Sequence, residues 1–174
     1  MKKTTLESYS RPRTNGIIAL GLREGDRLIR VTLTDGNSQM LVASYNGKVV
    51  RFPEDTVRPM GRTATGVRAI KLDEDGQDRV IGMICVEEGS KESVLVISEK
   101  GFGKRTDLDD ENGEPIYRIT NRGGKGVKTM NLTDKTGNLI GLEAVTDEQD
   151  LMLITKSGTA IRMAMDTIRV MGRA

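Results

Sequence analysis

Met40-Leu41-Val42-Ala43-Ser44-Tyr45-Asn46-Gly47-Lys48-Val49-Val50-Arg51-Phe52 is the stretch that decides the fold. One apolar run ends at Asn46-Gly47 and a second leaves it. An Asn-Gly pair between two such runs predicts a tight hairpin, because Gly takes the positive φ that the turn requires. The pattern returns at Val94-Leu95-Val96-Ile97-Ser98-Glu99-Lys100-Gly101 and at Leu151-Met152-Leu153-Ile154-Thr155-Lys156-Ser157-Gly158. Before each hairpin lies another apolar stretch: Leu28 to Leu33, Val80 to Val86 and Leu139 to Val145. Before each of those comes a run that starts at a glycine, at Gly16, Gly66 and Gly126. Gly66 follows Gly16 by 50 residues, and Gly126 follows Gly66 by 60. A polar insertion near Asp109-Asp110-Glu111-Asn112-Gly113-Glu114 accounts for part of the longer interval.

No segment has a helical period, so each repeat amounts to about four short strands. The expectation is an all-β, propeller-like chain of four-stranded blades, about three of them with flanking strands. The blade repeats fall at 14–62, 64–122 and 124–173, and residues 2–13 form the last strand of a preceding blade. A closed propeller typically takes about four to eight blades. Three repeats therefore suggest a piece of a larger repeat domain.

Composition narrows the chemistry. The 174 residues carry 27 basic and 25 acidic side chains, for a net charge of +2. No stretch approaches the roughly 18 apolar residues of a membrane-spanning helix. Met1-Lys2-Lys3-Thr4 lacks the apolar run of a signal peptide. Single Cys85 excludes an internal disulfide framework and fits a reducing compartment. The absence of histidine removes the commonest general base and the usual zinc ligand. No catalytic or metal-ligating residue is expected, and acid clusters such as Asp73-Glu74-Asp75 read as solvated loops.

The positive charge is periodic. Four residues after Gly47, Gly101 and Gly158 stand Arg51, Arg105 and Arg162. Seven further on stand Arg58 and Arg169, with Arg118 at that place once the insertion is allowed for. Four more reach Arg62, Arg122 and Arg173. Lys3 is the counterpart of Arg51 one repeat earlier. From Lys48 to Lys71 there are six basic residues against two acidic; from Asp73 to Glu88 there is one against six. Arg68 and Lys128 add charge to the Gly-started runs. Exposed strands use arginine to block edge pairing, but solubility does not require register. Around a disc these positions would join into a positive belt suited to phosphate, which arginine binds through a planar fork.

The third Gly-started run opens with Asn121-Arg122-Gly123-Gly124-Lys125-Gly126. Three glycines in four positions let backbone N–H groups approach an anion, and Arg122 and Lys125 supply charge. The spacing is not that of a Walker loop. A plain Gly-rich strand connection would look the same from this motif alone.

With these residues the whole chain resembles the C-terminal domain of the bacterial DNA gyrase A subunit. That family's hallmark box is Q-R-R-G-G-K-G. Arg122, Gly123, Gly124, Lys125 and Gly126 match its last five positions, whereas Thr120 and Asn121 replace its first two. Met60 to Arg68 and Arg11 to Gly16 look like degenerate forms of the box. Lys48 to Phe52 and Gly101 to Thr106 also look typical of the family.

The resemblance implies a β-pinwheel that wraps double-stranded DNA around its positive rim and directs negative supercoiling by a type II topoisomerase. The rim residues would be Arg51, Arg58, Arg62, Arg68, Arg105, Arg118, Arg122, Lys125, Lys128, Arg162, Arg169 and Arg173. The resemblance also implies that this segment holds no cofactor, ATP and Mg belonging elsewhere in the parent complex. Its partners would be the gyrase B subunit together with the rest of the gyrase A subunit, in a bacterial cytoplasm, associated with the nucleoid. No membrane or small-molecule substrate is expected. Topoisomerase IV has a related domain with eroded boxes, so the intact Arg122 to Gly126 favours gyrase. A protein-binding propeller segment whose basic rim meets an acidic partner is the other alternative. An enzyme using Tyr9, Tyr45 or Tyr117 as nucleophile lacks the flanking pattern associated with the topoisomerase site.

Overall fold

The computed structural model describes residues 1–173. Its strands are β1 (Gln39–Ser44), β2 (Lys48–Pro53), β3 (Val80–Val86), β4 (Ser93–Ser98), β5 (Gly103–Asp107), β6 (Val127–Lys128), β7 (Leu139–Val145), β8 (Asp150–Ile154) and β9 (Ala160–Ala164). Three short 3-10 turns, Leu6–Tyr9, Glu54–Thr56 and Met165–Thr167, are the helical elements among the described residues. The hairpins stand where the turn glycines placed them: β1–β2, β4–β5 and β8–β9 are antiparallel, with Gly47, Gly101 and Gly158 at positive φ.

The sheets are not built one per repeat. The first runs β3-β1-β2-β6, so it joins a hairpin from one repeat to an apolar stretch from the next and a Gly-started run from the one after. The second runs β5-β4-β7, and β8-β9 stands alone. The repeat ranges thus describe the sequence period, while the blades interlock across it. Among the described residues the Gly-started runs at 16–20 and 66–72 form no strand, residues 2–13 hold only a bridge at Lys3 and the Leu6–Tyr9 turn, and the strand expected over 28–33 is absent too. No hairpin lies beside that stretch, and Leu28, Val31 and Leu33 are exposed.

The strands of the first hairpin, β1 and β2, alternate their side chains between two inter-sheet cores, as the period of two requires. Met40, Val42, Val50 and Phe52 point to one core with Val57, Ala69 and Ile70. Leu41, Ala43 and Val49 point to the other, against Val94, Val96, Leu108 and Tyr117 of the second sheet. Phe52 and Tyr117 are fully enclosed, and burying side chains of this size contributes about 1.5–3 kcal/mol each. The Tyr117 hydroxyl is satisfied by Thr129 Oγ1 at 2.6 Å. β3 and β7 pack against one another, which sets the opposite edges of the sheets outward.

Gly126 is where a Gly-started run presses onto the outward edge of β2. Its φ is +72°, and a Cβ there would lie 2.5 Å from the Val49 carbonyl oxygen. Gly126→Ala is expected to lower stability by about 2–4 kcal/mol, combining left-handed strain with the clash. A urea titration should show the midpoint shift without a change of slope.

Candidate nucleic-acid interface

The outward edge is built in two passes. Ile119 makes a parallel bridge to Arg51, and the Thr120 N–H donates to the Arg51 carbonyl at 2.8 Å. The chain then leaves the edge through Asn121 to Lys125. It returns at Gly126, and Val127 and Lys128 pair antiparallel with Val49 and Lys48. The excursion reaches the preceding Gly-started run. Gly123 N–H donates to the Ala69 carbonyl at 2.6 Å, and Lys71 N–H donates to that of Gly124 at 2.8 Å. Arg122 donates to the carbonyls of Thr56 (3.2 Å) and Arg68 (3.4 Å). The glycine-rich box therefore ties two neighbouring outer edges together.

The same construction recurs. Met60 N–H donates to the Lys3 carbonyl and Met171 N–H to that of Arg105, both at 2.8 Å, as Thr120 does to Arg51. Arg62 donates to the Ile18 carbonyl at 2.8 Å, as Arg122 does to that of Arg68. Arg58, Arg118 and Arg169 occupy one place on three successive edges, and all three are exposed. Arg68, Lys125 and Lys128 flank the box, and all three are exposed. Arg62, Arg122 and Arg173 are half-buried.

The first arginine register is different. Arg51 and Arg105 are only 6% and 4% exposed. Neither lies on the rim, contrary to the expectation from spacing. Arg51 shares a strand face with Val49, which turns it toward the second sheet. There it pairs with Asp109 at 2.8 Å and donates to the carbonyls of Leu108 and Tyr117, each at 3.3 Å. Arg105 donates to Ser93 Oγ (3.0 Å), the Met165 carbonyl (2.7 Å) and Asp147 (2.6 Å). These two guanidiniums pin one blade to the next and offer no surface to a phosphate. Lys3 is their counterpart, paired with buried Glu54 at 2.6 Å. Burial pushes the Glu54 carboxyl up, but hydrogen bonds from Lys3 and Thr34 and the lysine charge hold it below the usual range. Arg162, next in the series, is exposed and forked onto Asp150.

The chain is therefore a propeller-like β protein whose interlocked blades carry cations on their outward edges. The family model described as the DNA gyrase C-terminal domain, β-propeller, matches residues 1–35, 39–87, 92–146 and 149–174, and the chain belongs to that family. The DNA gyrase A subunits of Staphylococcus aureus strains MRSA252 and NCTC 8325 are 44% identical over all 174 residues. The chain spans 19% of the length of those relatives. Among solved structures, a C-terminal domain of DNA topoisomerase IV superposes with a TM-score of 0.87 at 25% identity, over 99% of this chain and 51% of that one. A DNA gyrase A C-terminal domain gives 0.77 at 23% identity, over 91% and 51%. The second and third matched segments start at the β1–β2 and β4–β5 hairpins and end after β3 and β7, a phase that agrees with the sheets better than the Gly-to-Gly repeat does.

Spacing gives no hint of the pin partners Asp109 and Asp147. Strand alternation is the signal for the pins: Val49, two residues before Arg51, is a core residue.

Proposed function

We propose that the chain is a non-catalytic part of a DNA gyrase A subunit that binds and bends duplex DNA along its outward edges. The observation that carries this reading is the set of edge cations Arg58, Arg68, Arg118, Lys125, Lys128 and Arg169. None of them enters an ion pair among the described residues. Cations left unpaired on one edge suit a polyanion, and backbone contacts along a curved edge need little sequence preference. ATP and Mg would act in other parts of the gyrase complex. The B subunit, together with the rest of the A subunit, would supply the protein partners in the bacterial cytoplasm. Topoisomerase IV is the second reading, favoured by its higher TM-score; the 44% identity to gyrase A weighs against it.

Engaging about six phosphates gives a log–log slope of affinity against salt near −5. Fluorescence anisotropy with a labelled duplex between about 0.05 and 0.3 M salt measures it. A flat profile rejects DNA as the partner. Writhe trapped on a nicked and religated circle then separates wrapping from simple binding and reports its sign.

A further inference from the structure

We propose that the apolar residues Pro59, Ile119 and Val170 are wedges that kink the bound duplex, one at the outward edge of each blade. This inference rests on the DNA-binding reading above. Each of the three directly follows an exposed edge arginine: Arg58, Arg118 or Arg169. Ile119 is 45% exposed and Val170 42%, and Pro59 is exposed as well. Their backbone is held firmly. Each makes a parallel bridge to a pin residue, Pro59 to Lys3, Ile119 to Arg51 and Val170 to Arg105. The N–H of the next residue donates to that pin's carbonyl at 2.8 Å in all three cases. The pins are anchored in the neighbouring blade, so an apolar side chain is mounted rigidly beside a cation, at the same place three times.

That pairing fits duplex DNA in a particular way. Proteins that bend DNA through the minor groove combine arginine with apolar wedges, Ile and Pro among them, that partly unstack one base step. Such wedges kink the duplex by roughly 20–90°. DNA is otherwise stiff, with a persistence length of about 150 base pairs. Smooth tight bending is therefore resisted, and discrete kinks relieve it. With two phenylalanines and no tryptophan in the chain, aliphatic residues are the available wedges.

The test uses the full chain with Ile119→Ser and Val170→Ser combined, leaving Arg118 and Arg169 in place. The probe is a duplex of about 40 base pairs, several helical turns and well under the persistence length, with donor and acceptor dyes at its ends and 2-aminopurine at scattered steps. The expected result is affinity within about threefold of the parent, loss of at least half the end-to-end energy transfer, and loss of the 2-aminopurine enhancement. Ile119→Met, which keeps an apolar wedge, should retain both signals. Matched thermal melts establish that the serine variant is folded. Unchanged energy transfer in the serine variant, or no 2-aminopurine enhancement with the parent chain, overturns the wedge. A parent chain that does not bind the duplex at all instead overturns the DNA-binding reading.

Discussion

Arg105→Met should lower the melting temperature by about 6–12 °C and leave the salt dependence of DNA binding unchanged in the folded protein. Arg105 is the hub of one blade junction, hydrogen-bonded to Ser93, Met165 and Asp147. Methionine fills much of the volume but donates no hydrogen bond. Ser93 Oγ and the Met165 carbonyl, both in buried residues, then lose a partner, at about 1 kcal/mol or more each. The lost charge-assisted bonds bring the total to about 3 kcal/mol. Asp147 is 73% exposed and rehydrates, so it adds little. At about 2–4 °C per kcal/mol for a chain of this size, the shift follows. Differential scanning calorimetry reads the melt and anisotropy the salt slope. A normal melt with a reduced slope would return Arg105 to the DNA-facing set.

The largest effect on binding should come from Arg68, Arg118, Lys125 and Lys128 together. Replacing all four with glutamine removes about four phosphate contacts, so the log–log salt slope should fall from near −5 to about −2. Affinity near 0.1 M salt should fall on the order of a thousandfold. Stability should hardly move, because none of the four is fully buried and none is in an ion pair. Lys128 has one weak bond, to Asn131 at 3.4 Å. Unchanged affinity at low salt would show that DNA runs elsewhere on the molecule.

The hairpins are legible in the sequence because their signal is local. Asn46-Gly47 and its two counterparts need only the steric freedom of glycine and two flanking apolar runs. The composition of the sheets is not, because β6 reaches β2 across more than one repeat, and no residue type records which hairpin a distant strand will join. The arginine registers are half legible. Equal spacing shows that Arg51, Arg105 and Arg162 are equivalent in the repeat, but spacing alone does not distinguish the inside of a junction from its rim. The run Val49-Val50-Arg51-Phe52, where every residue is buried, contains that information once β2 is known to be paired on both edges. The box behaves in a similar way. Its last glycine serves a close backbone approach, while part of Arg122's bonding capacity goes to the carbonyls of Thr56 and Arg68.

The interlocking has a consequence for synthesis and assembly. The first sheet contains residues from Gln39 to Lys128, so its hairpin, complete at Pro53, waits for β6 to emerge at Val127 and Lys128. At roughly 5–20 residues per second, that is a delay of several seconds on the ribosome, with an unpaired edge presented throughout. Contacts this distant in sequence also slow folding. The edge that waits is the one bearing Lys48 and Arg51. Like charges on a nascent edge discourage pairing with a neighbouring chain. The cations that later pin the blades or face outward would thus first act as gatekeepers against aggregation.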